Sequence, residues 1–327
     1  MFYILCFALC LAVWFIVLSG MSMLCTWGAR LLRPLVYSST SAHTANRLFA
    51  IRVLPLFFAC LVTFGFALPA FVKFEPRSTG EMISWRLFAL GGLGALALIV
   101  MGVRAARMVR TTALVQEQWR RCSEKLACKG TDVPVYCLNG QRAVLAALGI
   151  FKPEIFVSRD VAQLLSPEEL SAAIAHERAH VRSFDNLKQL LLKITRPPFW
   201  LSSFRLTEAA WINASEVAAD EAALTIGASP LDLSAALVKV ARLTSRPVVS
   251  EAIAASHLLP AACGSAMEAR MSHLQELLED KSSACPVETQ SGKSRMLLSL
   301  VLLAIGYGIS VNAVLPWVHE ALESLVR

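Results

Sequence analysis

The chain has 327 residues, of which 56% are hydrophobic and only 17% are charged, and its mean hydropathy is +0.56. This composition excludes an ordinary soluble domain and favours a membrane protein. The net charge of +7 is concentrated beside apolar stretches, where basic side chains meet anionic lipid headgroups, so direct binding of nucleic acid is not expected.

Four stretches lack Asp, Glu, Lys and Arg and match or approach the ~20 residues that cross a bilayer as a helix. They lie at about residues 1–24, 53–72, 87–103 and 296–318. The first has no basic start and no clear cleavage site, so it is predicted to be a retained span and not a signal peptide. The third carries Gly91, Gly92 and Gly94, which suit close helix packing in lipid.

Basic residues decide which loops face the cytoplasm. The loop after the first span and the segment after the third span are both rich in arginine, and these two sides are therefore predicted to be cytosolic, with the N-terminus outside. The sequence predicts three parts: residues 1–103 with three spans, a cytosolic domain at 104–294, and a fourth span with a short outer tail at 295–327.

The cytosolic part is long enough for one domain, in which helices and strands are both predicted. Residues 104–126 are predicted to be a helix that leaves the membrane. The runs VPVYCLN, RAVLAALGI and PEIFVS are short and β-like, which predicts a small meander or hairpin. Further helices are predicted at 186–194, 199–227, 230–243 and 266–280.

A helix start precedes the most informative motif. Ser166 suits the N-cap, Pro167 the first helical position, and Glu169 completes a capping box. The helix then runs through IAHERAH, residues 174–180. The motif is either a metal site or an ordinary polar patch on a helix.

The motif spacing favours the metal site. His176 and His180 are four residues apart and share one helix face, so both imidazoles can bind one zinc ion. Glu177 then lies beside a water on that ion and is predicted to be the catalytic base. Peptide hydrolysis is the predicted reaction: zinc polarises the scissile carbonyl, and Glu177 moves a proton from water to the leaving amine.

A catalytic zinc ion needs a third protein ligand. ASEVAADEA, residues 214–222, supplies Glu216 as the predicted ligand and Asp220, four residues later, as the carboxylate that accepts the free N–H of a ligand histidine. Asp185 is predicted either to support a histidine in the same way or to be a solvated helix cap. One zinc ion per chain is expected.

Two other parts of a protease are left open by the sequence. An oxyanion donor is needed, and four residues are candidates without a spacing that selects one of them: Tyr136, His257, Arg270 and His273. EIFVS, residues 154–158, is a candidate edge strand on which an extended substrate could pair, with a plain core strand as the alternative.

The residues quoted above resemble a known family. GIFKPEIFVSRDVAQLLSPEELSAAIAHERAHVRSFDNLKQLLLK, followed by PPFW and EVAADEA, is similar to the BlaR/MecR type of integral-membrane zinc metalloproteases over about residues 148–223. The four-span layout agrees with that type.

The resemblance implies the roles of individual residues. His176, His180 and Glu216 would bind zinc, Glu177 would be the catalytic base, and Asp220 would be the acidic residue that follows the third ligand. The implied fold is a mainly α membrane protein with four transmembrane helices and a cytosolic, α+β, gluzincin-like zinc metalloprotease domain between spans three and four, in the bacterial inner membrane.

The resemblance also implies a function: cleavage of a cytosolic regulatory protein such as a transcriptional repressor, of the protease itself, or of both, in signalling. The chain ends about ten residues after the predicted fourth span, so the penicillin-binding sensor domain of the antibiotic sensors is expected to be absent. Two alternatives remain: a quality-control or processing protease of the HtpX or CAAX-protease type, and an inactive membrane scaffold or receptor. The substrate and the oligomeric state are not fixed by the sequence.

Overall fold

A computed structural model shows how these segments are arranged. The described residues are 2–31, 40–75, 84–126, 132–139, 143–196, 202–243, 255–257, 264–279 and 314–323. Within them the chain is mostly helical, with one five-stranded sheet.

The N-terminal part consists of three long apolar helical segments, and the second of them contains a π-helical turn. Helix α1 spans Phe2–Leu31, and α2 spans Ser41–Val62 before a π-helical turn at Thr63–Ala67 leads into α3, Leu68–Phe74. Helix α4 spans Trp85–Arg121. In the part of the chain that the structure describes, three segments are long and apolar enough to cross a membrane, and they contain the first three predicted spans. They are Phe2–Ala29, Ser41–Phe74 and Trp85–Arg121.

Glycines allow α1 and α4 to approach closely. A Cβ atom at Gly91 would lie 3.0 Å from the backbone oxygen of Ala8, and one at Gly94 would collide with the backbone oxygen of Leu11. Gly92, between them, has open space where its Cβ would be. Of the three glycines that predicted close helix packing, Gly91 and Gly94 therefore lie at the interface with α1, and Gly92 does not.

Most of the predicted fourth span, 296–318, lies outside the described residues. Its last residues belong to α11, a helix at 314–323. Leu315 and Leu322 of α11 join an apolar cluster with residues of α1, α3 and α4, such as Leu5 and Phe71. Helix α11 therefore packs near the start of α1 and the end of α3.

The sequence predicted a small meander or a hairpin, and the sheet contains an antiparallel hairpin but is not a simple meander. Its strands are β1 (Ser123–Leu126), β2 (Val135–Leu138), β3 (Leu145–Leu148), β4 (Glu154–Ser158) and β5 (Ala255–His257). The order across the sheet is β1-β2-β4-β3-β5, in which β2 and β4 are parallel and the other pairs antiparallel. The chain thus crosses from β2 to β3 before β4 fills the place between them.

One prediction about this region is wrong, and one pair of alternatives is decided. The helix predicted to reach residue 126 ends at Arg121, and residues 123–126 form the edge strand β1, whose residues pair with β2. The segment EIFVS is strand β4, which lies between β2 and β3 with every residue buried. It is a core strand and not an edge on which a substrate could pair.

Six helices complete the described part of this domain. They are α5 (Arg159–Leu164), α6 (Pro167–Arg182), α7 (Asp185–Ile194), α8 (Ser202–Thr225), α9 (Pro230–Leu243) and α10 (Gly264–Glu279). Each of the five predicted helices from 167 to 280 is found within a few residues of its expected ends. The main apolar core lies between the sheet and α6, α8, α9 and α10, and includes Ile155, Ala173 and Leu237.

Candidate metal centre

Helix α6 starts as the sequence predicts. Ser166 Oγ accepts a hydrogen bond from the Glu169 amide at 3.2 Å, and Glu169 Oε2 accepts one from the Ser166 amide at 2.8 Å, which confirms the capping box. Lys239 of α9 donates to both carboxylate oxygens of Glu169 at 2.7 Å. The helix that carries IAHERAH is therefore fixed at its first turn, two turns before the first histidine.

The three predicted metal ligands converge. His176 and His180 are buried on the same face of α6, with their Nε2 atoms 3.2 Å apart. Glu216 comes from α8 and is also buried; its Oε2 lies 3.5 Å from His176 Nε2, and its Oε1 lies 3.6 Å from His180 Nε2. Within the described residues, these three form a group whose ligand atoms all lie within 4.8 Å of one another.

This donor set fits a tetrahedral metal ion. Ligand atoms placed 2.0–2.2 Å from a tetrahedral zinc ion are about 3.3–3.6 Å apart. The two imidazole nitrogens are 3.2 Å apart, and Glu216 offers a different oxygen to each of them, Oε2 at 3.5 Å to His176 and Oε1 at 3.6 Å to His180. One ligand atom from each residue lies within 4.8 Å of the other two. Two imidazole nitrogens and one carboxylate are ligands that zinc accepts in catalytic sites. The group can therefore hold a metal ion without a large movement of any ligand.

Carboxylates on the opposite side orient both rings. Asp185 Oδ2 lies 2.7 Å from His180 Nδ1, and Asp220 Oδ1 lies 2.9 Å from His176 Nδ1, although the ring N–H at His176 points off the line to that oxygen. A carboxylate beside Nδ1 favours a proton on that nitrogen and leaves the lone pair on Nε2. The Nε2 lone pairs then face each other across 3.2 Å, an arrangement that a cation between them stabilises.

Of the two roles predicted for Asp185, support of a histidine and a solvated helix cap, the structure shows the first. It is the first residue of α7 and is buried against His180, so it is not a solvated cap. Phe184, immediately before it, has a left-handed backbone with φ of 57°, a conformation that costs energy for a bulky residue. The turn between α6 and α7 thus places Asp185 under the histidine five residues earlier.

Arg270 of α10 is part of the same site. It is buried, and it donates to Asp220 Oδ2 from Nε at 2.8 Å and to Asp220 Oδ1 from Nη2 at 2.7 Å. Its Nη1 donates to Glu216 Oε2 at 3.0 Å. The sequence gives Arg270 as one of four oxyanion candidates and, as the charged residue of an amphipathic helix, as either a salt-bridged or a solvated arginine. The structure shows the salt bridge, and its partners lie 50 and 54 residues earlier.

Glu177 is fully buried beside the metal-binding group. Its Oε2 accepts a hydrogen bond of 2.8 Å from the amide of Ala147 in β3. Burial raises the pKa of Glu177 above its usual value, even though His180 and His176 act in the opposite direction. A carboxylate of raised pKa is suited to accept a proton near neutral pH.

The charges of the group shift the other pKa values. Burial alone would lower the pKa of both histidines, but Asp220 and Glu216 raise the pKa of His176, and Glu216 with Asp185 raises that of His180 well above 6.5. Burial would raise the pKa of Glu216, but His180 and Arg270 lower it well below its usual value. Glu216 is therefore ionised at neutral pH, as a metal ligand must be.

The structure does not select any of the other oxyanion candidates for that role. Tyr136 belongs to β2, which is separated from β3 by β4. Its ring stacks on Phe156, with ring centroids 5.6 Å apart. His273 contacts Glu221 at 3.1 Å. His257 belongs to β5, which pairs with β3.

Comparison with known proteins agrees with this site. The family model described as BlaR1 peptidase M56 matches residues 67–260, more than half of the chain, and the match includes the metal-binding group and Glu177. No curated protein matches the chain. The chain therefore belongs to the BlaR1 peptidase M56 family of membrane metallopeptidases.

Proposed function

We propose that the protein is a membrane-embedded zinc endopeptidase of the BlaR/MecR type that cleaves a cytosolic regulatory protein, itself, or both. The observation that carries the proposal is the convergence of His176, His180 and Glu216 at separations suited to zinc, with the buried carboxylate of Glu177 next to them. Such a group can hold a metal ion, and a base beside the metal serves hydrolysis.

Each residue then has a defined task. When bound, zinc would supply the Lewis acidity that polarises a peptide carbonyl and activates water. Glu177, held by the Ala147 amide, accepts the proton of the attacking water and returns it to the leaving amine. Asp185 and Asp220 keep the histidine rings in the orientation that directs Nε2 to the metal.

Strand β3, which bonds Glu177, is the strand on which an extended peptide would pair, and in the described residues it is paired with the edge strand β5. Ala147 of β3 donates to Glu177 and pairs in register with Ser256 of β5. A substrate strand that adds to β3 would occupy the place of β5, because backbone pairing at a sheet edge admits one strand at a time. A segment of the chain itself thus occupies the position of a substrate strand, which supports self-cleavage as one of the activities.

Orientation in the membrane follows from basic loops and helix order. The arginine-rich segments beside α1 and α4 would face the cytoplasm, which puts the start of α1 outside and the metal centre inside. The contacts of α11 with Leu5 and Phe71 support a fourth crossing, since α10, before it in the chain, contributes Arg270 to the metal centre. The membrane would be the bacterial inner membrane.

The test uses the full chain in detergent. Metal analysis should give one zinc ion per chain, and Glu177→Gln should retain the zinc while cleavage of casein or of the chain itself falls by about 10²–10⁴-fold. Glu168→Gln changes an exposed glutamate on the same helix and should leave cleavage unchanged. Equal proteolysis by wild type and Glu177→Gln would contradict the catalytic assignment, and zinc without any proteolysis would favour the scaffold alternative.

Substrate identity separates signalling from quality control, because the HtpX and CAAX-protease types use the same motif pair. Co-expression with a winged-helix repressor encoded by a neighbouring gene should give repressor fragments with the wild type and none with Glu177→Gln. Cleavage of unfolded membrane proteins, with the repressor intact, would favour quality control. Fragments that end within or beside residues 255–257 would identify β5 as a self-cleavage site.

A further inference from the structure

Helix α2 extends beyond its predicted membrane span toward the metal centre. The span was expected to start at residue 53, but the helix begins at Ser41. These additional residues lie against the helices that flank the metal site: Ala45 and Leu48 form a buried cluster with Leu192 of α7 and Trp211 of α8. A membrane-spanning helix and the metal-binding domain thus share one apolar core.

The start of α2 is bonded to α8 beside Asp220. Ser41 Oγ donates a hydrogen bond of 2.8 Å to Glu221 Oε1, and Glu221 directly follows Asp220, the carboxylate at His176 Nδ1. The same oxygen of Glu221 lies 3.1 Å from His273 Nε2 of α10. Helices α2, α8 and α10 therefore meet at one carboxylate.

The second turn of α2 is bonded to α7 beside Asp185. Asn46 Oδ1 accepts a hydrogen bond of 3.1 Å from Lys188 Nζ, and this ammonium lies 3.5 Å from Asp185 Oδ1. The other oxygen of Asp185 is at His180 Nδ1. Lys188 Nζ also lies 5.9 Å from the ring centroid of Phe49 in α2.

A buried charge of α2 also faces α8. Arg52 has 4% of its surface exposed, and its charge is attracted by Glu208 of α8. Glu208 accepts two hydrogen bonds of 2.7 Å from Arg196, two residues after the end of α7. The described residues of α2 from Ser41 to Arg52 are thus fixed to both helices that neighbour α6.

We propose that residues Ser41 and Asn46 of α2 are positioning residues for the metal centre, one for each imidazole ligand. Ser41 acts through Glu221 on the turn of α8 that carries Asp220, and so on His176. Asn46 acts through Lys188 on Asp185, and so on His180. A displacement of α2 in the membrane then changes the affinity of the site for zinc. The inference rests on the proposed function, because it assumes that His176 and His180 bind the metal.

The expected change in zinc affinity depends on how many contacts separate Ser41 and Asn46 from the imidazole ligands. Removing a carboxylate that bonds a metal-ligating histidine costs about 10–100-fold in metal affinity. Ser41 and Asn46 act two steps beyond these carboxylates, through Glu221 and Lys188, so each should contribute less, and both together should contribute up to about tenfold. The cause is loss of ring orientation and not loss of a ligand.

The experiment measures zinc affinity of the full chain in detergent against a competing chelator. Ser41→Ala with Asn46→Ala should weaken binding by up to about tenfold. Ser41→Thr with Asn46→Asp keeps a donor to Glu221 and an acceptor for Lys188, and should bind as wild type does. His43→Ala is the control in the same turn of α2 as Ser41. The His43 ring is exposed and contacts Thr40, so this change should leave the zinc affinity unaltered.

Lys188→Met gives a second test from the α7 side, and it should weaken zinc binding in the same direction as Asn46→Ala. Thermal unfolding of the metal-free variants shows whether the fold is intact. Equal zinc affinity in wild type and in the Ala variants, with an intact fold, overturns the inference and leaves the proposed function standing. A wild-type chain that binds no zinc overturns both, and the wild-type titration alone shows this.

Discussion

Arg270 donates two hydrogen bonds to Asp220, of 2.8 and 2.7 Å, and a third to Glu216 at 3.0 Å. All three side chains are buried. A guanidinium is well suited to this task because its planar fork matches carboxylate geometry and stays charged. Helix α10 therefore supplies the positive charge that allows two acidic side chains to lie side by side near the metal ligands.

Arg270→Met should destabilise the metal-free protein by about 3–5 kcal/mol, because it leaves buried carboxylates without their cation. It should also weaken zinc binding. Arg270 helps to hold the pKa of Glu216 low, and without it a proton competes more strongly with zinc for the Glu216 carboxylate. Arg270→Lys keeps the charge but not the paired bonds and should give an intermediate loss. Thermal unfolding and chelator competition measure both quantities; unchanged zinc affinity in Arg270→Met would exclude this role.

The site could be predicted from sequence wherever its geometry is local. His176 and His180 are one helical turn apart, and Ser166 with Glu169 fixes where that helix begins, so spacing alone placed both imidazoles. Glu216 was also found, because an acidic pair four residues apart is rare in an alanine-rich helix. Arg270 was not singled out, since nothing near it in the sequence reveals its two partners in α8.

Strand order and helix length were missed for a related reason. EIFVS is short and apolar, and such a run reads equally as an edge or a core strand until its neighbours are known; the parallel pairing of β2 with β4 depends on contacts that no local pattern encodes. Ser41 and Asn46 lie in a polar, arginine-containing stretch before the apolar span, so hydropathy placed them in a loop. Packing against Leu192 and Trp211 makes the stretch helical.

The pH dependence of stability should differ between the metal-free and the zinc-loaded protein. The pKa values of His176 and His180 are raised above 6.5. A raised folded pKa contributes stability that is full below about pH 6.5 and is lost as pH rises through the folded values. Zinc requires neutral imidazoles, so its contribution grows over the same range.

We therefore expect the Tm of the metal-free protein to fall from about pH 6.5 to 8, while the difference in Tm between zinc-loaded and metal-free protein grows. Thermal unfolding in detergent, with zinc or with chelator, measures both. Asp185→Asn removes one charge that raises the pKa of His180 and should reduce the slope of the metal-free curve. Parallel curves with and without zinc would be inconsistent with histidine ligands.

The start of α6 gives a prediction at acidic pH. Lys239 and the Ser166 amide lower the pKa of Glu169 below 4.5, so its contribution to stability is present above that pH and is lost as pH falls through the folded pKa. Glu169→Gln should therefore lower the Tm at neutral pH, and the difference from wild type should shrink in acid. Ser166→Ala should cost about 1 kcal/mol as an N-cap loss. Glu168→Gln, at an exposed position of the same turn, is the control; an equal effect of both Gln variants would refute the assignment.

Two glycines that lie two residues apart in α4 offer a test of the membrane bundle. A Cβ at Gly94 would collide with the Leu11 backbone of α1, whereas a Cβ at Gly92 meets no atom within 4 Å. Gly94→Ala should destabilise the bundle by about 1–3 kcal/mol, because the helices must move apart, and Gly92→Ala should be neutral or slightly stabilising. Both changes add one methyl group to the same helix, so helix propensity cancels in the comparison. Unfolding in mixed detergents measures the difference, and equal stability of the two variants would show that α1 and α4 do not approach at Gly94.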